Sequence, residues 1–240
     1  MYEIAVIGGG VIGTAILDKL TRKGVKAILL EKGDDVSLGA SRANSGIIHA
    51  GHDCKPGTLK ARFNVEGNAM YDKLAEELGI PFKRIGAFVL GDDKEKIDEM
   101  YNRGLANGVQ ELKVMDRAEL LTYIPNLAEG MNYGLFAKRS GIISPYMLTI
   151  AFAEEAVLNG NEVLFNYEVV KIEKQNGIFK IFAKDNRTVE AKVVVNATAS
   201  AFNEISKMMN TETYDIHFRR GEYNLLDSTQ FGLVDRKSVV

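Results

Sequence analysis

Gly8, Gly10 and Gly13 fall at the spacing G-x-G-x-x-G in this chain of 240 residues. Glycines so spaced suit a dinucleotide pyrophosphate, each for its own reason. The first allows a tight turn from strand to helix. The second lets the backbone approach the phosphates, and the third lets the helix pack closely on the strand. Val11 and Ile12 lie inside the motif, where a helix N-terminus presents free N–H groups and a positive dipole end to an anion. Glu31, with Lys32 beside it, closes a second apolar run. Its carboxylate can accept hydrogen bonds from both ribose hydroxyls, and its charge opposes a 2′-phosphate, which argues against NADP. The motif alone does not separate FAD from NAD. The competing reading is chance glycines in a βαβ unit.

These residues need a particular scaffold, and the surrounding pattern supplies it. Ile4-Ala5-Val6-Ile7 is a continuous apolar run that fits a strand buried on both faces of a parallel sheet. Ile12, Ile16 and Leu20 recur at helical spacing, and Gly24 stands where a glycine ends a helix. Lys26 to Leu30 reads as the second strand. Hydrophobic residues make up 46% and charged residues 26% of the chain, which excludes a disordered or collagen-like polypeptide. With 30 Lys+Arg against 32 Asp+Glu, there is no electrostatic case for nucleic-acid or polybasic membrane binding. Cys54, alone, builds neither an internal disulfide nor a cysteine metal site, and no metal is expected. No apolar run approaches the ~20 residues of a spanning helix. Met1-Tyr2-Glu3 carries an acid where a signal peptide is basic, which predicts a cytoplasmic protein. Peripheral membrane association through a partner stays open.

The stretch from Gly39 to Gly51 is small, polar and glycine-rich, and fits backbone passing close to an extended ligand. A plain surface loop is the alternative, but Ile47-Ile48 inside it argues against full exposure. A helix pattern then runs from Thr58 to Leu78. The fingerprint followed by Ser41–Gly51 (SRANSGIIHAG) and Lys55–Gly67 (KPGTLKARFNVEG) resembles the FAD-dependent oxidoreductases of the D-amino-acid-oxidase superfamily. Within it, L-2-hydroxyglutarate oxidases and anaerobic-type glycerol-3-phosphate dehydrogenases are most similar. The resemblance continues through Gly141–Gly160, Val193–Ala199 and Arg219–Asp227, so it covers nearly the whole chain.

The resemblance implies a Rossmann-like α/β FAD-binding domain, a parallel sheet plus a β-meander, interleaved with a partial α+β substrate domain. The expected boundaries are 1–81 with 137–213 for the first, and 82–136 with 214–240 for the second. FAD is the implied cofactor. Ser41 and Arg42 are placed near its pyrophosphate and ribityl chain, with Ser45 and Gly46 in the same loop. Ile48, His49 and Ala50 are placed near the isoalloxazine ring. Val169 meets the adenine side through its backbone, and Ala197 and Thr198 close the phosphate pocket. The family usually has glycine where this chain has Ala199, a methyl expected to crowd the cofactor.

The implied reaction moves a hydride from a C–H bearing a hydroxyl, or an amine, to flavin N5. The protein must then hold a substrate anion and accept a proton. Histidine suits the proton, and His49 is the candidate in the flavin loop. His52 reads as a packing or solvent residue, and His217 as part of a solvated strand face. Arginine suits the anion, and Arg220 or Tyr223 is the candidate, with ion pairing to Glu222 as the alternative. Amine or amino-acid oxidation and an inactive dinucleotide-binding fragment are the competing readings. The partners implied are a small anionic substrate and an electron acceptor, whether oxygen, a quinone or a partner flavoprotein.

Further elements are a strand over Phe82–Leu90, a helix over Lys94–Asn107, and a strand over Leu112–Met115. Asp116 and Glu119 form an N-cap pair. Another strand spans Met131–Phe136. Ser144-Pro145 opens a helix, with Ser144 as its cap. A strand follows at Glu162–Phe165, then a meander from Val169 to Ala191 with a turn at Asn176-Gly177. A buried strand over Lys192–Val195, a helix over Ser200–Met209 and a strand over Ile216–Leu226 complete the pattern. Family members continue beyond this length, and Asp235 to Val240 also corresponds to a translated sequencing adapter, so an interrupted reading frame is expected there. A chain so shortened is expected to fold poorly or to hold FAD weakly.

Overall fold

The computed structural model describes residues 1–218, 221, 229 and 238–239. In chain order the elements are β1 (Tyr2–Ile7), α1 (Val11–Thr21), β2 (Ala27–Leu30), β3 (Ile47–Ile48), α2 (Leu59–Glu77), β4 (Phe82–Lys83) and β5 (Ala87–Gly91). Then come α3 (Lys94–Ala106), β6 (Leu112–Asp116), α4 (Arg117–Tyr123), β7 (Tyr133–Ala137), β8 (Gly141–Ile143), α5 (Pro145–Leu158) and β9 (Glu162–Leu164). The chain continues as β10 (Val169–Gln175), β11 (Ile178–Ala183), β12 (Thr188–Asn196), a 3₁₀ turn (Ala199–Ala201), α6 (Phe202–Met208) and β13 (Ser238–Val239). They form two compact units, Met1–Ser45 with Ser144–Arg220, and Gly46–Ile143 with Gly221–Val240.

The first unit is built on a six-stranded sheet in the order β10-β11-β12-β1-β2-β9. β12, β1, β2 and β9 run parallel, and β10 and β11 add antiparallel at one side. β1 and β2 are buried on both faces. Val6, Leu17, Ala27, Leu29 and Ala156 form the core under α1 and α5. On the opposite face Ala5, Ile7, Ile28 and Leu30 meet Tyr167, Ile181 and Ile205. Pattern and period therefore agree, because successive strand residues point to opposite faces and both are covered. The Asn176-Gly177 turn forms as expected, with φ of 51° and 81°. The meander and the "buried" strand over Lys192–Val195 are not separate. β12 is one strand, antiparallel to β11 over its first half and parallel to β1 over its second. Its middle is not buried either: Lys192 and Val193 are exposed.

The second unit holds two sheets, β13-β5-β7-β6 and β3-β8-β4. Val89, Ile97 and Leu135 pack one face of the larger sheet against α3. Phe88, Met115, Leu120 and Phe136 pack the other against α4. The single strand expected over Phe82–Leu90 is broken into β4 and β5. Gly86 sits between them at φ +72°, where an added Cβ would fall 2.3 Å from the Phe136 ring. The expected domain boundaries place α2, β3 and β8 with the first domain and β4 with the second. Packing groups them with the second unit, where Val65 of α2 joins Ala50, Val109 and Ala137 in one cluster. Residues 216–218 lie in no strand, and the remainder of the strand expected over Ile216–Leu226 falls outside the described residues apart from Gly221. No helix among the described residues is long and apolar enough to cross a membrane.

Candidate functional site

In the first unit, the loop between β1 and α1 shows which glycines the fold itself requires. Gly8 has φ +110°, and an added Cβ would lie 2.6 Å from the Ala197 carbonyl oxygen. At Gly13 the same atom would lie 1.9 Å from the Gly8 carbonyl oxygen. Gly10 is different. Its backbone, at φ −78° and ψ 174°, is open to any residue, and an added Cβ would meet only Ser41 Oγ, at 3.2 Å. The protein's own packing asks only that the Ser41 hydroxyl give by a few tenths of an ångström, whereas a phosphate approaching the backbone leaves no room for a side chain. The residues present therefore fit a pyrophosphate.

The neighbours of this loop are held firmly. Ser41 Oγ accepts a hydrogen bond from Val11 N at 2.9 Å, supplying the α1 cap that Gly10 cannot. Glu31 accepts from Gly9 N at 2.6 Å through one carboxylate oxygen and from Gly33 N at 2.8 Å through the other. Each oxygen retains lone-pair capacity for a ribose hydroxyl. At the end of β12, Ala197 N donates to Ile7 O at 2.9 Å, and Thr198 Oγ1 donates to Asn196 Oδ1 at 2.7 Å. Asn196 Nδ2 in turn donates to Phe202 O at 2.9 Å and Ser206 Oγ at 3.2 Å. Asn196 is a site residue that sequence reasoning missed; its one signal is a polar residue ending a run of valines. Ala199 stands at φ +49°, in the left-handed region. The consequence of alanine there is backbone strain at an exposed turn.

The structure thus brings Gly8, Gly10, Val11, Gly13, Glu31, Ser41, Ala197 and Thr198 together. Ile12, on the first turn of α1, is 64% exposed, unusual for isoleucine. Lys32 and Arg42 are exposed, and Val169 pairs with Ala183 where the register slips at the start of β10.

In the second unit, His49 follows β3 directly. Ile48 and Ala50 are buried while His49 itself is exposed. Gly46, at the start of this segment, accepts from Ile143 N at 2.9 Å through its carbonyl. Two asparagines that the sequence reading passed over pin the loop. Asn68 Nδ2 of α2 donates to His49 O at 3.0 Å. Asn107 Nδ2, at the end of α3, donates to Gly51 O at 2.9 Å and Cys54 O at 2.7 Å. Partial desolvation lowers the His49 imidazole below its ordinary value; Asp53 opposes this and Lys60 adds to it. His52 is 5% exposed, with Nδ1 buried and unpartnered. Its pKa is lowered by burial and then by His49, against Asp53. His217 is exposed and lies 3.2 Å from Asp215. Arg220 and Tyr223 lie outside the described residues. Ser45 closes the segment of the first unit that Ser41 anchors.

A cavity of about 690 Å³ opens elsewhere in the second unit, lined by Ile85, Gly86, Tyr123 and Phe136 among others. Its basic residues are already paired: Arg84 with Asp72 at 2.6 Å, Lys138 with Glu111 at 2.6 Å, and Lys113 with Glu119. Among the described residues that line it, none offers a free charge for an anion.

A family model described as FAD dependent oxidoreductase matches residues 3–238. The chain is 41% identical over 237 residues to a glycerol 3-phosphate dehydrogenase of Caloramator mitchellensis, covering 98% of this chain and 49% of that protein. It is 29% identical to an L-2-hydroxyglutarate dehydrogenase of Indibacter alkaliphilus, over 92% of this chain and 57% of that one. Among solved structures, the L-alpha-glycerophosphate oxidase of Mycoplasma pneumoniae with FAD bound matches with a TM-score of 0.82 and 26% identity, over 86% of this chain and 56% of that chain. The chain spans about half the length of the curated relatives it matches.

Proposed function

The chain belongs to the FAD dependent oxidoreductase family, and from that premise we propose that it serves in the oxidation of a small anionic hydroxy compound. Glycerol 3-phosphate is the first candidate and L-2-hydroxyglutarate the second. One observation carries the choice of substrate: the match to a glycerol 3-phosphate dehydrogenase runs along nearly the whole chain.

When bound, FAD supplies the hydride acceptor. The chain's own residues hold and orient. The backbone at Gly10 and the first turn of α1 take the phosphates, and Glu31 takes the ribose hydroxyls. His49, whose lowered pKa keeps it neutral near pH 7, accepts the hydroxyl proton of the substrate. Arg220 and Tyr223 are proposed for the substrate anion. The electron acceptor is proposed as oxygen, a quinone or a partner flavoprotein.

The test is anaerobic mixing of the FAD-loaded protein with a substrate panel, read as bleaching of the flavin absorbance. Bleaching by glycerol 3-phosphate is expected, and bleaching by L-2-hydroxyglutarate alone would support the second candidate. Bleaching by amino acids only would replace both with amine oxidation, and bleaching by none would overturn the reading.

A further inference from the structure

We propose that Asn68 is the positioning residue for His49, acting through the loop backbone without touching substrate. The proposal rests on the reading of His49 as proton acceptor. Asn68 lies in the middle of α2 and is 5% exposed. Asparagine is a poor helix former, and a buried amide without partners costs on the order of 1–3 kcal/mol. Here every donor and acceptor of the side chain is directed. Both Nδ2 hydrogens are used, on His49 O and on Arg139 O, each at 3.0 Å. Oδ1 accepts from Arg84 Nη1 at 2.9 Å.

Arg84 locks the amide in turn. Its Nη2 donates to the Asn68 carbonyl at 2.7 Å and to Asp72 at 2.6 Å. Asn68 therefore ties three segments together: α2, the loop after β3, and the turn between β7 and β8. The His49 carbonyl belongs to the peptide that joins His49 to Ala50. Fixing that peptide plane fixes His49 on its C-terminal side. On its N-terminal side, the pairing of Ile48 with Gly141 does the same. Held at both ends, the Cα–Cβ bond of His49 has one direction. Among the described residues, the charged and titratable groups around the ring are Asp53 and His52 on its own loop and Lys60 on α2. Arg84, Arg139 and Asp72 stand behind Asn68.

Asn107 provides the comparison, because it also donates two hydrogen bonds to carbonyls of this loop, at Gly51 and Cys54. A merely structural role would make the two asparagines equivalent. The experiment is a histidine-labelled NMR pH titration of the whole chain, with urea denaturation alongside, for Asn68→Leu, Asn68→Ser and Asn107→Leu. Leucine keeps the volume and removes the bonds; serine keeps one donor. Both leucine variants are expected to lose stability. Only Asn68→Leu is expected to move the His49 titration upward toward the ordinary histidine value, with Asn68→Ser between it and the wild type. Where Asn68→Leu does not fold, Asn68→Ser carries the measurement. A His49 titration unchanged in the Asn68 variants while stability falls would sink the proposal. If His49→Asn leaves flavin bleaching intact while the His49 titration still follows Asn68, the positioning stands and the catalytic reading of His49 falls.

Discussion

A methyl group at position 10 and one at position 13 probe the same loop in opposite ways. Gly13→Ala puts carbon 1.9 Å from the Gly8 carbonyl oxygen, so α1 must move away from β1. Overpacking of this kind costs about 1–3 kcal/mol, and the urea midpoint is expected to fall accordingly. Gly10→Ala meets only the Ser41 hydroxyl, and its backbone suits alanine. It is expected to fold with stability within about 0.5 kcal/mol of the wild type and yet to bind FAD much more weakly, read by fluorescence titration. Wild-type FAD affinity in Gly10→Ala would sink the cradle. Ala199→Gly should act the other way. Alanine at φ +49° carries a left-handed penalty of about 1–2 kcal/mol, of which glycine's extra unfolded-state entropy offsets about half. The variant is expected to gain about 0.5–1 kcal/mol by urea denaturation. The motif glycines were legible in sequence because their spacing encodes a turn and two close approaches. The left-handed Ala199 was not, because φ is set by where the turn after β12 must go.

Helix ends show how far local sequence reaches at the scale of elements. Thr58 and Ser144 both stand at the N-cap position of a helix, and the sequence marks Ser144 as a cap. Thr58 Oγ1 accepts from Ala61 N at 3.2 Å and donates to Lys55 O at 2.8 Å. Ser144 makes no cap bond, and its hydroxyl is buried without a partner. Thr58→Ala is therefore expected to cost about 1 kcal/mol, whereas Ser144→Ala is expected to be neutral within about 0.5 kcal/mol or slightly stabilising. Equal losses in thermal or urea unfolding would refute the distinction. Of the Asp116–Glu119 pair one half formed: Glu119 N donates to Asp116 Oδ1 at 2.9 Å, while the Glu119 carboxylate accepts from Lys113. The strongly periodic elements, β1, α1, α2 and α3, were legible because each carries its own pattern and caps. The short strands β3 and β8 were not, because two or three residues carry no period; β3 exists only through pairing with β8, and β8 through pairing with β3 and β4. The unity of β12 was equally hidden, because it depends on two different partners, β11 and β1. The supports of the site, Asn68, Asn107 and Asn196, belong to the same class. Each is an ordinary polar residue until tertiary structure brings a carbonyl or hydroxyl to it.

For the whole molecule, the two histidines of the loop after β3 predict an acid-sensitive fold. Both are lowered from the ordinary value of 6.5, His52 chiefly by burial and the more exposed His49 by partial desolvation. The unfolded chain then binds protons more readily than the folded one, so stability rises with pH. The contribution is present in full above about pH 6.5 and is lost as pH falls from there through the folded values. The carboxylates of Asp72 and Glu111 are held below their usual range by hydrogen bonds from Arg84 and Lys138. Their contributions fade only below the ordinary carboxylate range, so the first loss on acidification belongs to histidine. His49 and His52 both lie in the second unit, and the loosening should be local. Amide exchange at Phe88 and Leu135, in β5 and β7, is expected to lose more protection between pH 7.5 and 5.5 than exchange at Val6 and Leu29, in β1 and β2, after correction for the intrinsic pH dependence of exchange. His52→Leu, which removes the buried imidazole, should flatten the fall of the urea midpoint over the same interval. Equal losses in both units, or an undiminished slope in His52→Leu, would place the acid sensitivity elsewhere than in the loop that carries His49.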